Sequence, residues 1–180
     1  WERAVRKTGV PLAYSAGFTP RPRMSFGLAL PTGAESLAEY LDLELAQGYE
    51  PELDALAASF SSALPQGYEV THVVPRPEGS VSLQEGVVAC TWLVELDGVD
   101  GNQLDDVVAT AMARPTLMIE RARQGQKSTD DVRPAIIEMS ATAAGENPRP
   151  HLCAVLATNG RGLRPIELVG ALFPSLDPVD

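Results

Sequence analysis

Apolar and polar positions alternate along this chain with two different periods, and the changes of period mark its elements. Trp1, Ala4 and Val5 recur at helical spacing while Arg3, Arg6 and Lys7 lie off that stripe, so the chain opens on the last turns of an amphipathic helix. Gly9 stops the helix, with Pro11 two residues beyond. Met24 to Leu30 is a short apolar run that reads as a strand. Glu39 to Leu45 alternates, with Leu41, Leu43 and Leu45 on one face and Tyr40, Asp42 and Glu44 on the other. Pro51 fits the first position of a helix carrying Leu53, Leu56, Ala57, Phe60 and Leu64 as its apolar stripe. Tyr68 to Val74 reads as a further strand. The segment from Pro75 to Ser80, rich in proline and glycine, reads as a linker.

Beyond it, Val87 to Leu96 is a strong strand carrying Trp92. Asn102 is placed to cap a helix running to Met112, with Leu104, Val107, Val108 and Ala111 inward. Thr116 to Arg123, Val132 to Ala141 and His151 to Thr158 read as strands. Gln124-Gly125-Gln126 and Asn159-Gly160 read as turns, and Pro165 to Leu172 as a last helix. The pattern predicts an α+β fold: two tandem ferredoxin-like halves of βαββαβ type, each with an antiparallel sheet and helices on one side. The expected bounds are 1–75, a linker over 76–86, and 87–180. The first strand of the first half would precede Trp1, and a start at tryptophan rather than methionine points the same way. Trp92, Leu41, Leu43, Leu56 and Phe60 are the expected core.

Composition adds little to this picture until charge is mapped. At 180 residues, 44% hydrophobic and 21% charged, the chain reads as an ordinary globular protein. No apolar run reaches the roughly 20 residues of a membrane span, so a cytoplasmic, non-membrane protein is expected. Cys90 and Cys153 lack CxxC spacing and read as reduced thiols; with His72 and His151 as the only histidines, no zinc site and no cofactor is expected. The net charge of −10 is sorted rather than mixed: +4 over residues 1–34, −14 over 35–113, +3 over 114–164 and −3 over 165–180.

The first basic zone contains the most distinctive stretch, Gly9 to Gly27, in which Tyr14, Ser15, Phe18, Arg21 and Arg23 lie among Pro11, Pro20 and Pro22. A cationic loop with aromatic side chains suits an anionic partner, and RNA is the expected one. Tyr14 and Phe18 either stack unpaired bases or anchor the loop on the core. Arg21 and Arg23, at i and i+2, either hold phosphate together or pair inward with Glu35 or Glu39. In the second basic zone Arg121, Arg123 and Lys127 lie on an expected hairpin that either clamps a phosphate backbone or is merely solvated. Arg133 is a further nucleic-acid candidate, set against an internal salt bridge with Asp131. Glu39, Asp42 and Glu44 read as an exposed acidic strand face rather than a metal site. Asn159-Gly160-Arg161-Gly162 is too weak a match to be a phosphate cradle.

Leu12 to Phe26, then Leu30-Pro31-Thr32-Gly33-Ala34-Glu35-Ser36 and Glu39-Tyr40-Leu41-Asp42, with the later Arg121, Lys127 and Asp131-Val132-Arg133-Pro134, resemble the radical-SAM-linked domain family of unknown function. Members stand alone or follow a radical-SAM module, and standalone members neighbour ribosomal-protein and ribonuclease genes. The resemblance implies work in RNA maturation or modification beside a radical-SAM or ribonuclease-type partner. Two features depart from the family: its usual opening strand and Ser-His-Leu-Asp-like segment are absent, and no three-cysteine cluster is present to hold an iron–sulfur centre. The expected function is therefore a noncatalytic module that binds tRNA or rRNA precursors and presents them to a partner, with nothing that specifies DNA. Two alternatives stand: a protein adaptor using the acidic surface, and a metal-independent RNA-processing enzyme using Tyr14, Ser15 and Arg21.

Overall fold

The computed structural model describes the whole chain except Ala29, Gln124, residues 144–148, Arg161, residues 177–180 and the side chains of Arg123 and Ala143. The expected turn at Gln124 and the glycine loop through Arg161 thus lie partly outside the described residues. Two compact units follow one another, Trp1–Gly86 and Val87–Asp180.

The first unit contains α1 (Glu2–Thr8), β1 (Met24–Phe26), β2 (Leu41–Leu43), α2 (Leu53–Ala63) and a single helical turn, α3 (Leu83–Gly86). Gly9 ends α1 at φ 71°, a left-handed conformation that glycine adopts at low cost. α1 packs on α2. The small core joins Ala4 and Val5 of α1, Val10, Leu12, and Leu56 and Phe60 of α2, with the Trp1 ring 6.1 Å from that of Phe60. β1 and β2 pair antiparallel, Ser25 opposite Asp42. Two expectations fail here. Tyr68 to Val74 alternates but forms no strand; Val70 instead exchanges hydrogen bonds with the Ser61 hydroxyl. Pro51 lies outside α2, because Glu52 is still extended and serves as its N-cap. The expected linker is fastened to this unit: the Arg76 guanidinium reaches Asp42 (3.3 Å) and the carbonyls of Ser80 and Val81, and the Gln84 amide donates to the Phe26 carbonyl.

The second unit contains β3 (Ala89–Glu95), α4 (Gly101–Ala113), β4 (Met118–Arg123), β5 (Gln126–Asp131), a 3-10 turn (Arg133–Ala135), β6 (Ile136–Ala143), β7 (Pro150–Ala157) and α5 (Pro165–Leu172). The sheet order is β3-β7-β6, antiparallel throughout, with β4-β5 as a separate hairpin. β3 and β6 therefore run parallel to each other with β7 between them, and α4 lies in their connection. That is a split βαβ arrangement, with the hairpin inserted between α4 and β6. Leu104 and Val108 of α4, Leu152, Ala154 and Leu156 of β7, Ile136 and Met139 of β6, and Leu168 of α5 form its core.

The fold is thus α+β with antiparallel sheets. Asp100, not Asn102, caps α4, its carboxylate accepting the Asn102 and Gln103 N–H groups. Leu56 and Phe60 are buried as expected, and Trp92 and Leu43 pack against the two cores, though they and Leu41 are only partly buried. Their strands lie at sheet edges or in a two-stranded pair, where one flank stays open. Cys90 pairs across from Leu156 and Cys153 from Leu93, which puts the two thiols on opposite faces of one sheet.

Candidate nucleic-acid interface

The loop between α1 and β1 is held at its base by the main chain. Ala13 N–H donates to the Glu44 carbonyl (2.8 Å), Glu44 N–H to the Arg23 carbonyl (3.1 Å), and Arg23 N–H to the Ala13 carbonyl (2.8 Å). This closed ring of three hydrogen bonds joins three stretches of chain at one level. One step out, Tyr14 bridges Pro22, and Ser15 N–H donates to the Arg21 carbonyl (2.9 Å) while its hydroxyl accepts the Arg21 N–H (3.1 Å). Ser15 is therefore a loop closure. Beyond it, Gly17 sits at φ 133°, where a Cβ would be strained, and Phe18 projects wholly into solvent. Tyr14 is more than half exposed.

The two arginines of the loop differ. The Arg23 Nη1 donates to both Glu44 carboxylate oxygens, at 3.1 and 3.0 Å, so its inward partner is Glu44 rather than Glu35 or Glu39. Both side chains stay about half exposed, and such a pair contributes less than about 1 kcal/mol. Arg21 is exposed and has no ion pair among the described residues. The tip thus presents Phe18 and Arg21, with Tyr14 and the paired Arg23 nearer the stem. Among the acids weighed as an exposed strand face, Asp42 and Glu44 are each matched to an arginine, and no metal-binding cluster occurs among the described residues.

The second basic zone is built differently. Leu117, just before β4, and Ile119 on it are buried, and next on that face comes Arg121, whose side chain is only 12% exposed. Its Nε and Nη2 donate to Glu167 at 3.0 and 2.9 Å, Nη2 also to the Gly162 carbonyl, and Nη1 to Asp130 at 3.4 Å. Arg121 ties the hairpin to the first turn of α5, and its donors are engaged inside the unit. Burial by itself would raise the Glu167 carboxyl, but hydrogen bonds from the Arg164 side chain and main chain, and the hydrogen bond and charge of Arg121, outweigh it and hold Glu167 at about 2.

Arg133 is likewise internal. It donates to the Ile136 carbonyl (3.0 Å) and to the Met112 carbonyl (3.2 Å) in the last turn of α4, while its Nε is buried with no hydrogen-bond partner among the described residues. The expected Asp131–Arg133 salt bridge is replaced by main-chain bonds: Asp131 accepts the N–H groups of Leu117 and Arg133. Lys127 is exposed on β5; Arg123, opposite Gln126, is placed by its main chain alone. The structure therefore brings Tyr14, Ser15, Phe18, Arg21 and Arg23 together in one loop. It turns Arg121 and Arg133 into structural ties.

A family model matches residues 1–165, that of an uncharacterized protein conserved in bacteria (DUF2344). The chain belongs to this family. No curated protein and no solved structure matches it. The match to DUF2344 takes in both units, including the loop, the hairpin and the first residue of α5. No helix among the described residues is long and apolar enough to cross a membrane.

Proposed function

We propose that this DUF2344 protein binds single-stranded RNA through the loop of its first unit. The observation that carries the reading is Phe18, wholly exposed on a loop whose stem is fixed by hydrogen bonds, three residues before Arg21, which has no ion pair among the described residues. Exposing a phenylalanine to water in a preordered loop is unfavourable unless a flat apolar surface covers it in use. A base supplies such a surface, and stacking is worth about 1–3 kcal/mol per base. Arg21 then meets the adjoining phosphate. Residues 1–34 net +4, so the local field favours a polyanion although the chain is acidic.

In this reading the protein is a cytoplasmic, noncatalytic module in tRNA or rRNA maturation, offering RNA to a radical-SAM or ribonuclease-type partner. The partner classes rest on the resemblance of the loop and strand motifs alone. Ser15, engaged in closing the loop, serves better as a hinge pin than as an acid or base. The test is an NMR titration of the full chain with a uridine decanucleotide. Shifts confined to Tyr14, Phe18 and Arg21 are expected; shifts at Lys127 and the hairpin alone, or none, would remove the loop from RNA recognition.

A further inference from the structure

At the C-terminal end of β1 an open cleft of about 490 Å³ is lined by Phe26, Gly27, Leu28, Leu30, Glu39 and Gln84. Phe26, Leu28 and Leu30 are each more than a third exposed, and Tyr40 beside Glu39 is more exposed still. Single exposed apolar side chains are ordinary, but a cluster of them around a concavity marks an interaction surface. The main-chain groups of the wall are already used. Gly27 N–H donates to the Tyr40 carbonyl, and the Phe26 carbonyl accepts the Gln84 amide at 3.2 Å. Glu39 is the one charged group in the lining, and it has no ion pair among the described residues.

We infer that this cleft docks a basic, apolar segment of a partner protein, with a leucine-like side chain against Phe26, Leu28 and Leu30 and a lysine or arginine over Glu39. Small-molecule sites gather several convergent polar groups, and this one offers a single carboxylate. Nucleic acid is disfavoured by charge: residues 35–86 hold ten acids and one base. Two of those acids, Asp42 and Glu44, are taken by Arg76 and Arg23, whereas Glu39, the acid that lines the cleft, is open to an incoming cation. The inference goes beyond the RNA reading and does not depend on it, because the loop and the cleft share no residue.

The test is a titration of isotope-labelled full chain with three synthetic octapeptides, alternating Leu-Lys, Ser-Lys and Leu-Glu. Saturable binding of Leu-Lys is expected, with shifts centred on Phe26, Leu28, Leu30 and Glu39. Glu39→Lys should weaken it at least tenfold and Leu28→Ser at least fivefold, while Glu50→Lys, the same charge change outside the cleft, should alter it less than threefold. Leu28 and Glu39 are solvent-exposed, and unchanged thermal unfolding of each variant confirms that the fold is intact. The inference is overturned if no peptide binds, if Ser-Lys binds equally well, if Leu-Glu is preferred, or if Glu50→Lys matches Glu39→Lys. RNA that shifts the loop but not the cleft leaves both readings standing; RNA that shifts the cleft overturns this one.

Discussion

Arg21 and Arg121 look alike in sequence. Each is followed two residues later by a second arginine, and each lies beside a tight turn in a basic zone. The folded chain treats them in opposite ways. Arg21 stands in solvent on a loop closed by main-chain hydrogen bonds and by the Ser15 hydroxyl. Arg121 is drawn inside the second unit and saturated by Glu167, Asp130 and Gly162. What separates them is the company of the strand. Arg121 continues a face begun by Leu117 and Ile119, so alternation carries it inward, and a buried guanidinium must then find carboxylates. Arg21, held between Pro20 and Pro22, continues no apolar face. A basic residue is available to a ligand only when the local pattern does not point it at a core.

The largest effect expected from this contrast is on stability. Arg121→Ala leaves Glu167 and Asp130 without their shared cation and should cost about 3 kcal/mol in urea unfolding. Arg21→Ala should stay within about 0.5 kcal/mol. Equal losses would erase the distinction between the two arginines.

The next test is the pH dependence of the same network. The folded Glu167 carboxyl, at about 2, lies below the ordinary 4.5. Its contribution is therefore complete above pH about 4.5 and is lost as pH falls towards 2. Linkage caps that contribution at about 3 kcal/mol, and screening around the exposed Arg164 reduces it to about 1–2 kcal/mol. Unfolding midpoints measured from pH 6 to pH 2 should fall more steeply in the wild type than in Glu167→Gln. Parallel curves would mean that Glu167 is not held by Arg121 and Arg164.

A smaller loss, about 1 kcal/mol, is expected for Arg133→Ala, which frees the Met112 and Ile136 carbonyls but leaves Asp131 on its two N–H groups. Chemical unfolding read at Trp92 checks it. No loss would return Arg133 to the list of surface cations.

Much of the fold was legible because period and punctuation agree. α4 and α5 follow their stripes, and Pro165 opens α5 where the proline rule puts it. The strand β5, Gln-Lys-Ser-Thr-Asp-Asp, was legible only as the far arm of the expected hairpin at Lys127, without bounds of its own. It has no apolar position, and only its ladder with β4 makes it extended. Tyr68 to Val74 misled in the other direction, since alternation without a partner strand builds nothing. The loop site was visible as a motif, whereas its stem was not: the Ala13–Arg23–Glu44 ring is long-range and made of main chain. Glu39 was weighed as an acid on a strand, and its place in a cleft depends on Gln84, far along the sequence. Glu167, at the third position of a helix begun by proline, stands where a capping-box carboxylate accepts the N-cap N–H, here that of Arg164, but its bond to Arg121 is long-range and had no local signal.

The central claim, that the first unit meets RNA through Phe18 and Arg21 while the hairpin arginine is structural, is tested most directly by the salt dependence of binding to a uridine decanucleotide. Log affinity against log salt should flatten by about 0.7 in Arg21→Ala, one phosphate contact on a single strand. Phe18→Ala should lose about 1–3 kcal/mol of affinity with its slope unchanged, because stacking releases no counterion. Lys127→Ala should leave both quantities as in the wild type. Wild-type slope and affinity in Arg21→Ala and Phe18→Ala, or a loss confined to Lys127→Ala, would contradict the account.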